Sequence, residues 1–366
     1  MEKVLKKFGE QLMKNQHGFV LVTTLWVLAM LTLAASFFAL WTQRTLTIAQ
    51  TRQADIQGEI DMLSTQANVI YLLTTQPFTL GGLTVPDAPD TIDKSKSYED
   101  SILPVGTEIA VDDRSYFGHG KAFFALQDEG GLININIETE QTLGRLLGLL
   151  GVEAKLRAPL IAKLKDYIDL DDLHRANGAE SYHYEQRNLP PPTNRYLKHQ
   201  METKRVLDWA EQTTLWENHQ LRQLTHLYLA ARSNINTAPS LVLQAAYNLS
   251  ANNAERIIKM RERMPFYTLK GVFQVTGIQL DVDPLEENFF PSEYSRLTLW
   301  YAGARRMRQV HIELTPNAEK IKPWQIESSL EFELLPIYAD KFPHHVQTTL
   351  FISDQLSVFS DQSSKF

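Results

Sequence analysis

No cysteine occurs in the 366 residues. That absence excludes disulfides, thiol catalysis and cysteine-ligated zinc, and also the acylated cysteine on which lipoproteins are anchored. Basic charge is in short supply: 36 Lys and Arg against 43 Asp and Glu give a formal charge of −7. No global positive field therefore invites nucleic acid. Proline is missing between Phe19 and Pro77, so nothing in that stretch must break a helix. A nucleophile elbow, a His-Glu-x-x-His pair and a phosphate loop are all lacking. No enzyme is expected; Asp169 and Asp172 serve better as ligands than as an acid/base pair, and His174 and His183 as surface loop residues.

What is present begins with an apolar run. Phe19 to Trp41 is 23 residues without a charge, preceded by Lys3, Lys6, Lys7 and Lys14 against only Glu2 and Glu10. A secretory apolar region is about 7–15 residues long and ends in a small-residue cleavage motif, whereas crossing a bilayer takes about 20 apolar residues. The run reads as a membrane span. The lysines stay cytoplasmic by the positive-inside bias, which puts the chain beyond Arg44 on the far side. No second spanning stretch follows. The body of over 300 residues has room for two domains, or for one domain with a large insertion.

Ile56, Ile60, Leu63, Ala67 and Ile70 recur at spacings of 4, 3, 4 and 3, which marks them as one apolar helix face. The span is expected to continue as one long helix, softened at Gly58; 50-odd residues make a rod of roughly 80 Å. Pro77 to Ser101, rich in turn formers and charge, reads as a loop. Strands are expected at Thr107–Asp112, Lys121–Gln127, Tyr294–Ala302, Arg308–Leu314, Ser328–Leu335 and Thr348–Ile352. Between them, from Gly130 to about Gly277, the pattern is mostly helical, as at Leu143–Leu150 and Ala154–Ile168. The expected architecture is a sheet interrupted by a helical insertion and packed on the projecting half of the long helix. The insertion contains a repeat, LININIET at 132–139 and RSNINTAP at 232–239, each followed by a helical pattern with a break. Asn134, Asn136, Asn234 and Asn236 suit helix caps, and Thr237 before Pro239 suits the same purpose.

His17-Gly18-Phe19 has two readings. One is an ordinary anchor with a chance glycine. The other is a leader: a Gly ending a short basic head before a Phe that opens an apolar helix resembles the leaders of type IV pilins and type II secretion pseudopilins. That resemblance implies an inner-membrane prepilin peptidase cutting between Gly18 and Phe19, with N-methylation of Phe19. The fifth position from Phe19 is Thr23, where pilin-like chains usually carry Glu. A carboxylate there costs about 2.5–3.5 kcal/mol in hydrocarbon, and in the family it neutralises the terminal amine of a neighbouring subunit. Its absence is characteristic of the K-type minor pseudopilins, general secretion pathway protein K. DEGGLININ (128–136), DYIDLDD (166–172), GAESYHY (178–184), LPPPTNR (189–195), NINTAPSLVL (234–243) and AERIIKMRERMPFYTLKGV (254–272) are similar to that family in the same order. The likeness reaches about Leu335; Ser181 stands where an acid is usual, and Gln200–Ala231 matches poorly.

The resemblance implies an α+β fold: a pilin-like long N-terminal helix packed on an antiparallel sheet, with a large all-α insertion of two sterile-alpha-motif-like (SAM-like) modules. The implied division is leader 1–18, transmembrane helix 19–41, remaining helix and first strands 42–129, inserted domain 130–288 and C-terminal strands 289–366. It also implies a subunit capping the tip of the periplasmic pseudopilus and helping to start its assembly for export of folded proteins. Its partners would be the I-type and J-type minor pseudopilins, the pseudopilus, the prepilin peptidase and the inner membrane, with the N-terminus cytoplasmic and the body periplasmic.

Asp169, Asp171 and Asp172 lie within four residues, and Glu180 follows a glycine-containing loop. They read either as a helix end with a solvated acidic loop or as oxygen ligands for structural calcium; the family resemblance implies calcium, and Ser181 implies a weaker or single-ion site. The second module also resembles the helix-hairpin-helix of membrane-anchored DNA-uptake proteins. The hairpin at Tyr247–Ala251 carries no glycine to admit a phosphate, and the −7 charge opposes phosphate binding. DNA binding stands as the alternative; no nucleic acid is expected.

Overall fold

The computed structural model describes residues 17–86, 101–229, 233–280, 287–316 and 322–339. Leader residues 1–16 and the expected strand Thr348–Ile352 lie outside the described residues. Two compact units divide between Gln57 and Gly58. One helix, α1, runs His17–Thr75.

In the first unit, the apolar side chains from Phe19 to Trp41 are exposed, and the stretch is long and apolar enough to cross a membrane. Its hydroxyls are satisfied inside the helix: Thr24, Thr32 and Ser36 each donate to a carbonyl three or four residues back. Such back-bonding gives these three hydroxyl donors a partner inside the helix instead of leaving them to hydrocarbon.

In the second unit, five antiparallel strands form the sheet: β1 Asp112–Phe117, β2 Ala122–Asp128, β3 Tyr294–Tyr301, β4 Arg306–Leu314 and β5 Trp324–Glu333. Their spatial order is β5-β4-β3-β2-β1. Alternation along each strand places Phe124, Leu126, Leu297, Leu299 and Val310 on one face, against Met62, Val69, Leu72 and Leu73 of α1. Ala125, Trp300 and Met307 line the other, with Phe332 and Tyr338. Asp61 accepts the Lys121 N–H at 3.0 Å and Thr65 accepts the His119 N–H at 2.9 Å, which pins the β1–β2 turn to α1.

Three expectations are corrected. The stripe of α1 facing the sheet is Met62, Thr65, Val69 and Leu72; Ile60, Leu63 and Ala67 are exposed, as is Ile56 in the first unit, and only Ile70 of the expected face is buried. Gly58 does not soften the helix. A Cβ there would lie 2.5 Å from the Tyr301 ring, so the glycine lets the strand end approach the helix backbone. The segment Thr107–Asp112 is not a sheet strand: Ile109 exchanges both backbone hydrogen bonds with Leu83, at 2.8 and 2.9 Å, and β1 starts only at Asp112. Asp113, with φ of 67°, bulges the strand just there. The expected loop from Pro77 also contains a tight pairing of Phe78–Thr79 with Gly82–Leu83.

Between β2 and β3 lies the insertion. Its principal helices are α2 Glu140–Leu149, α3 Ala154–Ile168, α4 Ser240–Ala246, α5 Ala251–Arg261 and α6 Leu269–Thr276. They bury one continuous core in which Leu143, Leu147 and Leu164 join Ile235, Leu243 and Ile257. The sequence repeat is a repeat of structure. Ile133–Asn134 pairs in parallel with Thr225–His226, and Ser233–Asn234 pairs in parallel with Glu287–Asn288.

The asparagines are not helix caps. Thr139 caps α2, and Pro239 occupies the cap position of α4 without a side-chain bond. Asn134 and Asn234 instead accept the N–H of Asn136 and Asn236, at 3.1 and 3.0 Å. Asn136 then holds both the N–H and the carbonyl of Leu197, and Asn236 holds both groups of Phe266. Each amide supplies one donor and one acceptor to a buried backbone that has no strand beside it. Thr237 donates to Asp128 rather than capping α4.

Candidate functional site

The acidic loop leaves the C-terminus of α3. Asp166, fully buried in its last turn, accepts Arg175 Nη1 at 2.8 Å and the Arg175 backbone N–H at 3.2 Å. Asp169, just past the helix, pairs with the same guanidinium. Asp171 accepts the Leu173 N–H at 2.8 Å and so turns the loop. Asp172 accepts Asn194 Nδ2 at 2.9 Å, tying the loop to 189–195. The chain returns through Gly178, where a Cβ would fall 1.9 Å from Asp166 Oδ2; only glycine lets the backbone pass the buried carboxylate. Glu180 follows, ahead of the short helix Ser181–Glu185. His174 stacks on His183 at 4.7 Å between centroids, and His183 Nδ1 accepts the Glu180 N–H at 3.1 Å.

The electrostatics are unbalanced at Glu180. Burial first, then repulsion from Asp166, Asp169, Asp172 and Asp171, together raise its pKa to about 7. Both its carboxylate oxygens are buried without a hydrogen-bond partner, as are Asp169 Oδ1 and Asn194 Oδ1. Four oxygens of this kind have the chemistry of a hard-cation donor set. As the side chains stand, Arg175 supplies the positive charge, and no three Asp, Glu or His side chains among the described residues converge as a metal-holding group.

The three aspartates singled out from the sequence therefore lie on one loop close enough to Glu180 to repel its carboxylate. Asp166, Arg175 and Asn194 were missed as members. Asp166 and Asn194 lie inside DYIDLDD and LPPPTNR, but their roles depend on chain closure rather than spacing. At the other end of the chain, Gly18 and Phe19 lie in the first turns of α1. Thr23 Oγ1 donates to the carbonyls of Phe19 and Val20, each at 3.0 Å.

The fold defines a class: an α+β protein with a long N-terminal helix, an antiparallel sheet and further helices inserted between two of its strands. Residues 125–215, which span β2, the first half of the insertion and the acidic loop, match the family described as Type II secretion system (T2SS), protein K. That one stretch, a quarter of the chain, is similar to protein K of type II secretion. Comparison with curated proteins gives no significant match. Among solved structures, the chain is similar to one in the crystal structure of the GspK-GspI-GspJ complex from the enterotoxigenic Escherichia coli type 2 secretion system. The identity is 15%, over 78% of this chain and 99% of that one, with a TM-score of 0.47.

Proposed function

We propose that the chain is the minor pseudopilin that caps the tip of the periplasmic pseudopilus and helps to start its assembly, anchored in the inner membrane by Phe19–Trp41. The observation that carries this reading is Thr23. Its hydroxyl donates to the helix's own carbonyls, and it carries no negative charge to neutralise the terminal amine of a further subunit. A pilin-like Glu there would carry a carboxylate for that amine at a cost of about 2.5–3.5 kcal/mol in hydrocarbon. A subunit with nothing beyond it has no use for the carboxylate. The prepilin peptidase would cut between Gly18 and Phe19. The exposed stripe Ile60, Leu63 and Tyr71 on α1 suits packing against the helices of I-type and J-type minor pseudopilins. The work is assembly rather than chemistry.

Structural calcium belongs to the same reading. Asp169, Asp171, Asp172 and Glu180 would hold it, joined by Asn194. The support is the set of buried oxygens that lack partners in the loop. A bound divalent cation would neutralise the carboxylate cluster and fix the loop.

Two measurements test the reading. Mass spectrometry of the membrane-extracted chain should show an N-methylated Phe19 terminus only when the peptidase is present; a Met1 terminus in both cases rejects the class. Immunogold labelling of pseudopili should then mark one end of each fibre, and label along the fibre length rejects the tip.

A further inference from the structure

Where the insertion folds back on the sheet, the seam is polar. Residues 217–228 turn Leu221 and Leu224 into the core of the insertion. Their other side meets β3, β4 and β5. Arg222 donates to Gln309 Oε1 at 3.1 Å and lies 4.0 Å over the Phe332 ring, on which His219 also packs. Arg296 donates to the Gln223 carbonyl at 3.0 Å. Tyr228 stacks on Tyr294 at 4.4 Å between centroids. Closure has costs. Asn218 and His219 are held at φ of 49° and 53°, a left-handed backbone that side chains disfavour. Glu129 Oε2, Gln223 Nε2 and the Nε atoms of Arg222 and Arg296 are buried without a hydrogen-bond partner, and each offsets part of what the other contacts contribute.

Four of the chain's ten histidines gather here: His199, His219, His226 and His311. His226 Nδ1 accepts the Tyr228 N–H at 3.2 Å, so that ring is neutral and carries its proton on Nε2. Burial opposes ionisation of Glu129, but His311, His226 and Arg296 hold its carboxyl below the usual range. It can only accept, so His311 Nδ1 donates to its Oε1 at 2.5 Å. The charges inside the seam already balance. Arg222 and Arg296 stand against Glu129 and Asp113, the last 3.6 Å from Arg296. Farther out, Glu202 is paired with Arg195 and Glu313 with the Tyr294 hydroxyl; Glu327, Glu333, Lys198 and Lys204 are exposed to water. A proton added to a buried imidazole therefore brings a charge with no counter-charge left inside. Burial, with His311 nearby, pushes the His226 pKa down to about 4 although Glu129 opposes the fall. Burial and the Arg222 cation lower those of His199 and His219. All three shifts have one sign: they stabilise the closed seam fully above about pH 6.5, and that contribution is lost as pH falls towards 4. Burial shifts Asp128, at the joint where the insertion leaves and returns, the other way, so falling pH does not weaken that joint.

We propose that this seam is an acid-released latch. At neutral pH it holds the insertion down on β3, β4 and β5; when its imidazoles take up protons, the insertion swings away about the Asp128 joint while sheet and helices stay folded. The latch requires neither calcium nor a tip position.

The chain has no cysteine, so Glu217→Cys with Ser329→Cys, both at exposed positions, puts one nitroxide label on each side of the seam in the full chain in detergent micelles. Double electron–electron resonance should give one distance at pH 7.5 and add a longer one at pH 4.5 that vanishes on return to pH 7.5. His226 alone changes the closed-to-open ratio roughly 50- to 100-fold between those values. His226→Asn keeps an acceptor for the Tyr228 N–H but takes no proton, and should lower the open-to-closed ratio at pH 4.5 at least tenfold. Glu129→Gln removes one of the two inner carboxylates and should raise the opening midpoint by at least one pH unit. The proposal is overturned by a parent chain with the same distances at both pH values, by opening that comes only with loss of far-ultraviolet circular dichroism, or by a Glu129→Gln midpoint equal to the parent's. A His226→Asn chain that is closed at pH 7.5 and opens in acid as the parent does also overturns it; if that variant is already open at pH 7.5, the Glu129→Gln midpoint decides. None of these failures would alter the terminus or the fibre-end labelling expected of a tip subunit.

Discussion

The carboxylate of Asp128 and the hydroxyl of Ser292 meet at 2.6 Å although 164 positions separate them in sequence. Asp128 also accepts the N–H groups of Gly130 and Ser292, the Asn234 amide and the Thr237 hydroxyl. One side chain thus gathers both ends of the insertion and the start of its second module. Burial pushes its pKa up, and these hydrogen bonds oppose the rise. Asp128→Ala would leave several buried donors without an acceptor, at about 1–3 kcal/mol for each that stays unsatisfied. The expected loss is about 3 kcal/mol or more in urea unfolding of the full chain, with Asp128→Asn losing less, because its amide keeps one acceptor oxygen while turning an N–H toward donors. A loss under about 1 kcal/mol for the alanine variant would show that the joint is held elsewhere.

Glu180 makes stability depend on pH in a definite direction. Its pKa is about 7 in the folded chain against an ordinary 4.5, so the folded state holds a proton that the unfolded state gives up between those values. The contribution is full below 4.5 and is lost as pH rises through 7, up to about 3 kcal/mol. Unfolding measured in a calcium chelator from pH 4.5 to 8 should show this decline, and Glu180→Gln should flatten it. Calcium at pH 8 should restore stability to the parent chain, by about 3 kcal/mol at a hundredfold excess over its Kd, and much less to the Gln variant. A parent chain insensitive to calcium would reject the ion.

The two sides of α1 in the second unit should separate folding from association. Leu72, fully buried against the sheet, should cost about 2–5 kcal/mol as Leu72→Ala. Leu63, 53% exposed, should change stability by less than about 0.5 kcal/mol as Leu63→Ala, yet weaken co-purification with partner minor pseudopilins. Equal losses of stability from both variants would contradict the exposed stripe.

The contact of Gly58 with the Tyr301 ring predicts a rescue. Gly58→Val forces side-chain atoms into a ring that a Cβ would already approach to 2.5 Å, so a cost of about 1–3 kcal/mol is expected. Combining it with Tyr301→Ala should cost less than the sum of the two single changes. Additive losses would mean that the helix tolerates the branched side chain by another route.

The sequence made much of this fold legible and misassigned some of it, each for a physical reason. Helix α3 was readable to its end residues because its apolar period, and the acidic loop that stops it, are local. Strands β2 to β4 were readable because they alternate. The apolar stripe of α1 was seen but pointed the wrong way: Ile60–Leu63–Ala67 and Met62–Val69–Leu72 are both apolar, and periodicity cannot say which one meets the chain's own sheet. Thr107–Asp112 alternates as a strand does, yet its partner is Leu83, and only the bulge at Asp113 lets the chain enter the sheet afterwards. The Asn-Ile-Asn repeat was visible at once, but its task was not. Clamping Leu197 and Phe266 is a contact across 61 and 30 residues that no local rule encodes. The acidic loop follows the same logic, with the carboxylates evident and their pairing with Arg175 and Asn194 hidden until the loop closes.

The insertion departs from Asp128 and returns beside it, with Asp128 opposite Ser295 in the register of β2 and β3. To the sheet, all of those intervening residues stand where a hairpin turn would. The excursion also packs back on the sheet: Arg222 donates to Gln309 Oε1 at 3.1 Å, and Arg296 of β3 donates to the Gln223 carbonyl at 3.0 Å. The strand order is therefore compatible with a large excursion at this one turn, and the excursion is fastened to the sheet by those buried side chains.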